Sequence, residues 1–139
     1  MKLSRTVAYA VRATLLLAQA NSGAPVPCSR LASEGRMPER FLLQILRNLV
    51  THGILRSTRG VDGGYSLDRK PEDISLLDLI EAIDGPLIAL LPDPDEGDRA
   101  TTEKRLREAL DHVNASMRRQ LQAVRISDLL SSQPLAKLA

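Results

Sequence analysis

Met37-Pro38-Glu39-Arg40-Phe41-Leu42-Leu43-Gln44-Ile45-Leu46-Arg47-Asn48-Leu49 is the stretch whose reading decides the fold. Phe41, Leu42, Ile45, Leu46 and Leu49 recur at helical spacing and make one apolar face. Glu39, Arg40, Leu43, Gln44 and Arg47 take the other face, where cationic and amide groups dominate. Pro38 suits a first turn, whose N–H has no helical partner to lose, and Glu39 suits the positive end of the helix dipole. Upstream lie Leu31-Ala32 and a break at Gly35-Arg36. Downstream come Gly53 as a C-cap, Ile54-Leu55-Arg56-Ser57, and the glycine-rich Arg59 to Leu67. Short helix, tight turn, longer helix and hairpin together predict a winged helix-turn-helix, whose second helix is built to enter a DNA major groove.

Working outward, residues 4–20 read as a first helix with Ser4 as N-cap and Val7, Ala10, Val11, Leu15 and Ala18 on its buried side. Asn21 to Pro25 carry loop chemistry, and Pro27-Cys28-Ser29 open a second helix that Gly35 closes. Strands are expected at about 54–58 and 64–67, joined by a wing from Arg59 to Gly63. The predicted fold is mainly α with a small two-stranded β wing, continued by a long C-terminal dimerisation helix.

Beyond the wing, residues 71–91 read as a linker helix. Ser75, with Asp78 three residues on, begins it as a capping box, and Asp84-Gly85-Pro86 ends it. Residues 92–100 form an acidic, proline-broken loop expected to be mobile. Residues 101–139 form a helix reaching about Arg125, a short capped turn begun by Ser127, and a frayed tail. On the long helix, Leu106, Leu110, Val113, Met117, Leu121 and Val124 make one narrow apolar stripe. A helix of that length must pack on something, its own domain or its twin across a two-fold axis. The twin is favoured, because a symmetric dimer matches a palindromic site.

At 139 residues and 43% hydrophobic content, the chain can bury one core with an extension. Only 2% of the residues are aromatic, which argues against stacking on single-stranded nucleic acid. The net charge of +2 conceals an asymmetry: residues 1–70 carry eleven Lys/Arg against four Asp/Glu, and residues 71–139 carry eight against thirteen. A basic first half suits a polyanion. The sole cysteine, Cys28, excludes an intrachain disulfide and a four-cysteine metal site within one chain. No signal peptide or membrane-length apolar run is present, so a cytoplasmic, nucleoid-associated location is expected.

Met1-Lys2-Leu3-Ser4, Tyr9-Ala10-Val11-Arg12, Phe41-Leu42-Leu43-Gln44-Ile45-Leu46, Arg59-Gly60 with Gly63-Gly64-Tyr65, and Ile80-Glu81-Ala82-Ile83-Asp84-Gly85 closely resemble the Rrf-two family of bacterial transcriptional regulators. The resemblance runs unbroken from Met1 to about Gly85 and more loosely through the long helix. It implies a homodimeric, cytoplasmic transcription factor, usually a repressor, that binds a palindromic double-stranded operator. Many members hold an iron–sulfur cluster on three cysteines in the loop before the long helix. Here that loop, Leu91 to Asp98, has neither cysteine nor histidine, so the resemblance implies a cluster-free member with no cofactor. A second departure is Arg36, which stands where many members place glycine. Positive φ there would cost on the order of 1 kcal/mol.

The candidate base readers are Arg40, Gln44 and Arg47, since arginine pairs bidentately with guanine and glutamine with adenine; Leu43 could meet a thymine methyl. Arg59, with Gly60 beside it at the wing tip, is placed to enter a minor groove. Lys2, Ser4 and Arg5, together with Arg56, Ser57 and Thr58, are phosphate-contact candidates that fix register without reading sequence. Glu39, on the recognition helix's first turn, is a further DNA-binding candidate. The plainer alternative is a solvated polar face for Arg40, Gln44 and Arg47, half-burial for Leu43, and a hairpin-turn cation for Arg59. Cys28 is the one candidate redox sensor, its thiolate favoured by a helix N-terminus, although a packed small residue is the plainer reading. Neither His52 nor His112 has neighbours in sequence that suggest a metal set. Nothing suggests an enzyme: there is no nucleophile–base pair and no phosphate-binding loop. The alternatives to sequence-specific binding are a winged helix used for protein interaction and a non-specific architectural DNA-binding protein. An effector, if the protein takes one, is an unidentified small molecule.

Overall fold

The computed structural model describes residues 2–20, 23–88 and 99–131, the side chains of Arg99 and Ala100 excepted. Its elements are α1 (Arg5–Ala20), α2 (Cys28–Gly35), α3 (Glu39–Thr51), β1 (Leu55–Thr58), β2 (Gly64–Leu67), a single 3-10 turn at Pro71–Asp73, α4 (Leu76–Asp84), α5 (Arg99–Ala123) and α6 (Ile126–Leu130). The winged helix-turn-helix is realised, with β1 and β2 antiparallel and Leu55 opposite Leu67. Most of the loop expected at 92–100, and the tail beyond Ser131, lie outside the described residues. At the loop's end α5 is already helical, from Arg99.

α1 starts as its sequence predicts, with the Ser4 hydroxyl accepting the Val7 amide at 3.2 Å. Its buried face is turned from the predicted one. Ala13, Thr14 and Leu17 are covered along with Val7, Ala10 and Ala18, whereas Val11 and Leu15 are half-buried. Thr14 is admitted to the core because its hydroxyl donates to the Ala10 carbonyl at 2.7 Å.

Two helix ends are built alike. At the end of α3 the amides of Gly53 and Ile54 return to the carbonyls of Val50 and Leu49, with Gly53 at φ 72°. At the end of α2 the amides of Arg36 and Met37 return to Ser33 and Ala32, and here Arg36 takes the left-handed position, φ 52° and ψ 54°. Both are Schellman ends. Arg36 is the one non-glycine residue with positive φ among the described residues. The glycine one place earlier has a different task. A Cβ on Gly35 would stand 2.4 Å from the Met37 methyl, so Gly35 opens the room in which Met37 is buried.

The core joins α1, α2 and α3 through Ala13, Leu17, Leu31, Leu42, Ile45, Leu46 and Leu49, and extends to Ile74, Leu79, Ala82 and Ile126. Each fully buried leucine or isoleucine contributes about 1.5–3 kcal/mol. Residues 74–84, read from sequence as a linker helix, therefore share a core with the helix-turn-helix. The Ser75–Asp78 capping box forms as predicted, with both bonds at 3.0 Å. The chain returns to the start of α4 after α5: the Leu76 amide donates to Val124 at 2.8 Å and the Ile126 amide to Ile74 at 2.9 Å. Ser127 lies inside α6 and does not cap it. The Asp128 carboxylate does so instead, accepting the Arg125 amide at 2.8 Å.

α5 divides its apolar stripe. Leu121 and Val124 are buried at 8% and 6% exposure, and Leu121 packs with Val7, Leu77 and Ile80, the half-buried Met117 beside them. Val124 lies one residue past the helix end. These two residues, read from sequence as dimer contacts, are covered by the chain's own fold because α4 lies against the second half of α5. Toward the start of the helix, Leu106 and Val113 stand 49% and 59% exposed, with Leu110 half-buried.

Candidate nucleic-acid interface

α3 buries Leu42, Ile45, Leu46 and Leu49 and exposes Arg40, Gln44 and Arg47 on the opposite side. The exposed three are spaced four and three residues apart, so they form one stripe along the axis. Glu39 is exposed on the first turn, and Leu43 is half-buried at the edge of the stripe. Phe41, placed on the buried face by its periodicity, is 41% exposed. Its ring meets Tyr9 of α1 edge to face, with centroids 5.9 Å apart and planes at 78°.

Sequence reasoning passed over the contacts that hold the turn before α3. The Arg12 guanidinium donates to the Gly35 carbonyl at 2.9 Å and lies 5.5 Å from the Tyr9 ring centroid. Tyr9 and Arg12 were visible only as part of a motif. Nothing in their spacing names partners 23 or 32 positions away.

The wing is fixed by two glycines. A Cβ on Gly63 would stand 2.3 Å from the Thr58 carbonyl oxygen, and one on Gly64 would stand 2.4 Å from the Val26 carbonyl group. The second approach is close because Val26 and Tyr65 pair as an isolated antiparallel bridge, which ties β2 to the segment entering α2. Arg59, Gly60, Ser57 and Thr58 are exposed on the hairpin, with Gly60 at φ 114°. Arg56 is exposed but already paired: its guanidinium meets the Asp68 carboxylate at 2.9 Å, which offsets its charge.

At the N-terminus Lys2 and Arg5 are exposed and Ser4 is half-buried. The Ser4 hydroxyl, besides capping α1, donates to the Asp84 carboxylate at 3.3 Å. Its hydrogen-bonding capacity is thus taken up within the fold.

Cys28 is half-buried, and its thiol donates to the Glu39 carbonyl at 3.7 Å. Burial first, and then the Glu39 carboxylate, push its pKa above the ordinary thiol value. Both effects oppose the thiolate that the helix dipole alone would favour. No group of three or more His, Cys, Asp or Glu side chains able to hold a metal occurs among the described residues, and no helix among them is long and apolar enough to cross a membrane.

Glu81 on α4 makes a polar link to α5. Its carboxylate receives Arg118 at 2.7 Å and the Leu87 amide at 2.9 Å, while Asn114 donates to the Leu87 carbonyl at 2.9 Å. The Arg118 bond, aided by the Leu87 amide, holds Glu81 below the ordinary carboxylate pKa against the opposing effect of burial.

The Rrf2 (Rrf-two) family model, described as an iron-dependent transcriptional regulator, matches residues 3–132. Over 90 residues the chain is 44% identical to a Mycobacterium tuberculosis protein named as an HTH-type transcriptional regulator, covering 65% of this chain and 56% of that one. It spans little more than half the length of several such relatives. The solved structure of CymR, titled the global cysteine regulator of B. subtilis, superposes with a TM-score of 0.70 at 25% identity, over 96% of this chain and 99% of CymR. T. potens IscR does so with a TM-score of 0.71 at 28% identity, over 100% of this chain and 93% of that one.

Proposed function

The chain belongs to the Rrf2 family, whose members are transcriptional regulators and not enzymes, and from that membership we propose that it is a sequence-specific double-stranded-DNA-binding repressor. It acts as a homodimer on a palindromic operator, with α3 in the major groove and the wing in the minor groove. The observation that carries this reading is the stripe Arg40, Gln44 and Arg47, exposed opposite the face that α3 buries and flanked by a wing presenting Arg59. The basic balance of residues 1–70 supplies the attraction to phosphate.

The regulator works without an iron–sulfur cluster. Clusters are held chiefly by thiolates, with imidazole in some, and residues 89–98, Ala-Leu-Leu-Pro-Asp-Pro-Asp-Glu-Gly-Asp, offer carboxylates and neither of those ligands. Cys28, the sole cysteine, sits instead at the start of α2 with a raised pKa. This donor set does not fit an iron–sulfur cluster as the source of the iron dependence in the family's description.

Selection of duplexes from a random library with the purified protein, followed by footprinting, tests the proposal. The expected result is a two-fold symmetric site whose protection weakens steeply with salt. Enrichment of no sequence, with binding to all duplexes alike, would favour an architectural role; no binding at all would favour a protein-interaction module.

A further inference from the structure

We propose that Arg12 is the positioning residue of the recognition helix: it sets the angle at which α3 offers Gln44 and Arg47, without itself touching DNA. The proposal rests on the reading of α3 as a base reader. Its evidence is the junction between α1, α2 and α3.

A helix ends with carbonyls that have no partner within it. At the end of α2 the Schellman bonds of Arg36 and Met37 take the carbonyls of Ser33 and Ala32. The carbonyl of Gly35, the last residue of α2, receives Arg12 from α1 at 2.9 Å. Gly35 itself is buried, although Arg12 reaches it from an exposed position. A cation at a helix C-terminus is also favoured by the helix dipole. Arg36, next in sequence, holds a left-handed conformation that a residue with a Cβ adopts only when its surroundings enforce it. Arg12 is the side chain that grips the peptide between Gly35 and Arg36.

The same guanidinium lies over Tyr9, and Tyr9 sets its ring edge to face with Phe41 on the first turn of α3. Arg12 therefore holds the turn at both sides: directly at the last residue of α2, and through two rings at the start of α3. Arg12 and Tyr9 lie one turn apart on α1, the element with the most buried small residues, and hence a firm base for the clamp.

An exposed arginine near a DNA-reading helix has a rival role, that of a phosphate contact, and the two roles give different readouts. The test measures binding of Arg12→Ala, Arg12→Met and Arg12→Lys to the selected duplex and to random duplex, each across a range of salt. A positioning role predicts that Ala and Met lose roughly tenfold in affinity for the selected duplex, the size of one lost base contact. Affinity for random duplex and the salt slope stay at the wild-type level. Lys, which can still donate to the Gly35 carbonyl, recovers a large part of the preference. Hydrogen exchange at the Arg36 and Met37 amides is faster in Ala and Met than in wild type, which reports the turn directly even if a variant is destabilised.

Equal weakening on both duplexes with a slope reduced by about one per contact would mean a phosphate contact and overturn the proposal. Unchanged preference in Arg12→Ala would overturn it as well. If the wild type itself prefers no duplex, the base-reading function has failed and this proposal falls with it, whereas a selective wild type with a selective Arg12→Ala sinks the positioning role alone.

Discussion

Val26 and Tyr65 exchange both backbone hydrogen bonds, at 2.8 and 2.9 Å, so the wing is joined to the segment that leads into α2. The hairpin is thereby a third, one-residue strand wider than its two strands suggest. Its orientation is set by the helix-turn-helix and not by the turn at Arg59–Gly63 alone.

That pairing makes Gly64 sensitive to substitution. Gly64→Ala places a Cβ 2.4 Å from the Val26 carbonyl group at φ 151°. Relief requires breaking the bridge, and chemical denaturation is expected to show a loss of about 2 kcal/mol or more. Wild-type stability would mean that the wing is not held to Val26.

Arg36→Gly is expected to act in the opposite direction. Releasing a left-handed arginine gains on the order of 1 kcal/mol, less the entropy that glycine adds to the unfolded chain. The denaturation midpoint should rise slightly; a fall would show that the Arg36 side chain holds something worth more than its backbone strain.

The proposed base and phosphate contacts separate by their dependence on DNA sequence. Gln44→Ala or Arg47→Ala should each cost about 1–3 kcal/mol per affected contact on the selected duplex and far less on random duplex. Lys2→Ala and Arg5→Ala should weaken both alike and flatten the salt slope by roughly one unit per contact. Arg59→Ala should fall between, hurting most where flanking sequence is A·T-rich. Arg56→Ala is expected to have less effect than Arg5→Ala, because Asp68 already offsets its charge.

The divided stripe on α5 predicts two kinds of failure from the same substitution. Val113→Asp acts on a side chain 59% exposed in the single chain, so it should leave the fold intact and give a monomer in sedimentation. Leu121→Asp buries a charge among Val7, Leu77 and Ile80, and should unfold the protein at a denaturant concentration well below wild type. Monomeric wild type at micromolar concentration would contradict the dimer.

Glu81 links stability to acid. Arg118 holds its folded-state pKa below the ordinary 4.5, so the unfolded chain binds its proton first as pH falls. The pair's contribution is full above the unfolded value and disappears as pH drops through the depressed folded one. Wild type should therefore lose stability below about pH 4.5 more steeply than Glu81→Gln, as followed by denaturant midpoints. Parallel curves would show that Arg118 does not stabilise the ionised form.

Local chemistry was legible in the sequence wherever cause and effect lie within a few residues. The Ser75–Asp78 box, the closing glycine at 53, the wing strands and the strain at Arg36 are all of this kind, whereas Gly35 makes room for Met37 and leaves the left-handed position to Arg36. Periodicity also gave the direction in which α3 faces, with its exposed stripe of Arg40, Gln44 and Arg47. It could not say which neighbour covers which part of a face. That is why Phe41, Val11 and Leu15 are more exposed than their spacing suggests, and why Leu121 and Val124 belong to the fold of their own chain. Contacts between distant positions, such as Arg12 with Gly35, Arg56 with Asp68 and Glu81 with Arg118, leave no signal in spacing at all.

The way α5 is held gives it the mechanics of a cantilever. Its root is fixed by Leu121, the Glu81–Arg118 pair and the return of Val124 and Ile126 to the start of α4, while Leu106 and Val113 lie further out. From Arg118 back to Arg99 the helix measures about 28 Å, so a tilt of about 5° at the root carries the far end through roughly 2.5 Å. Two such beams meeting near their tips would turn a small adjustment beside α4 into a shift large enough to alter the spacing of two recognition helices.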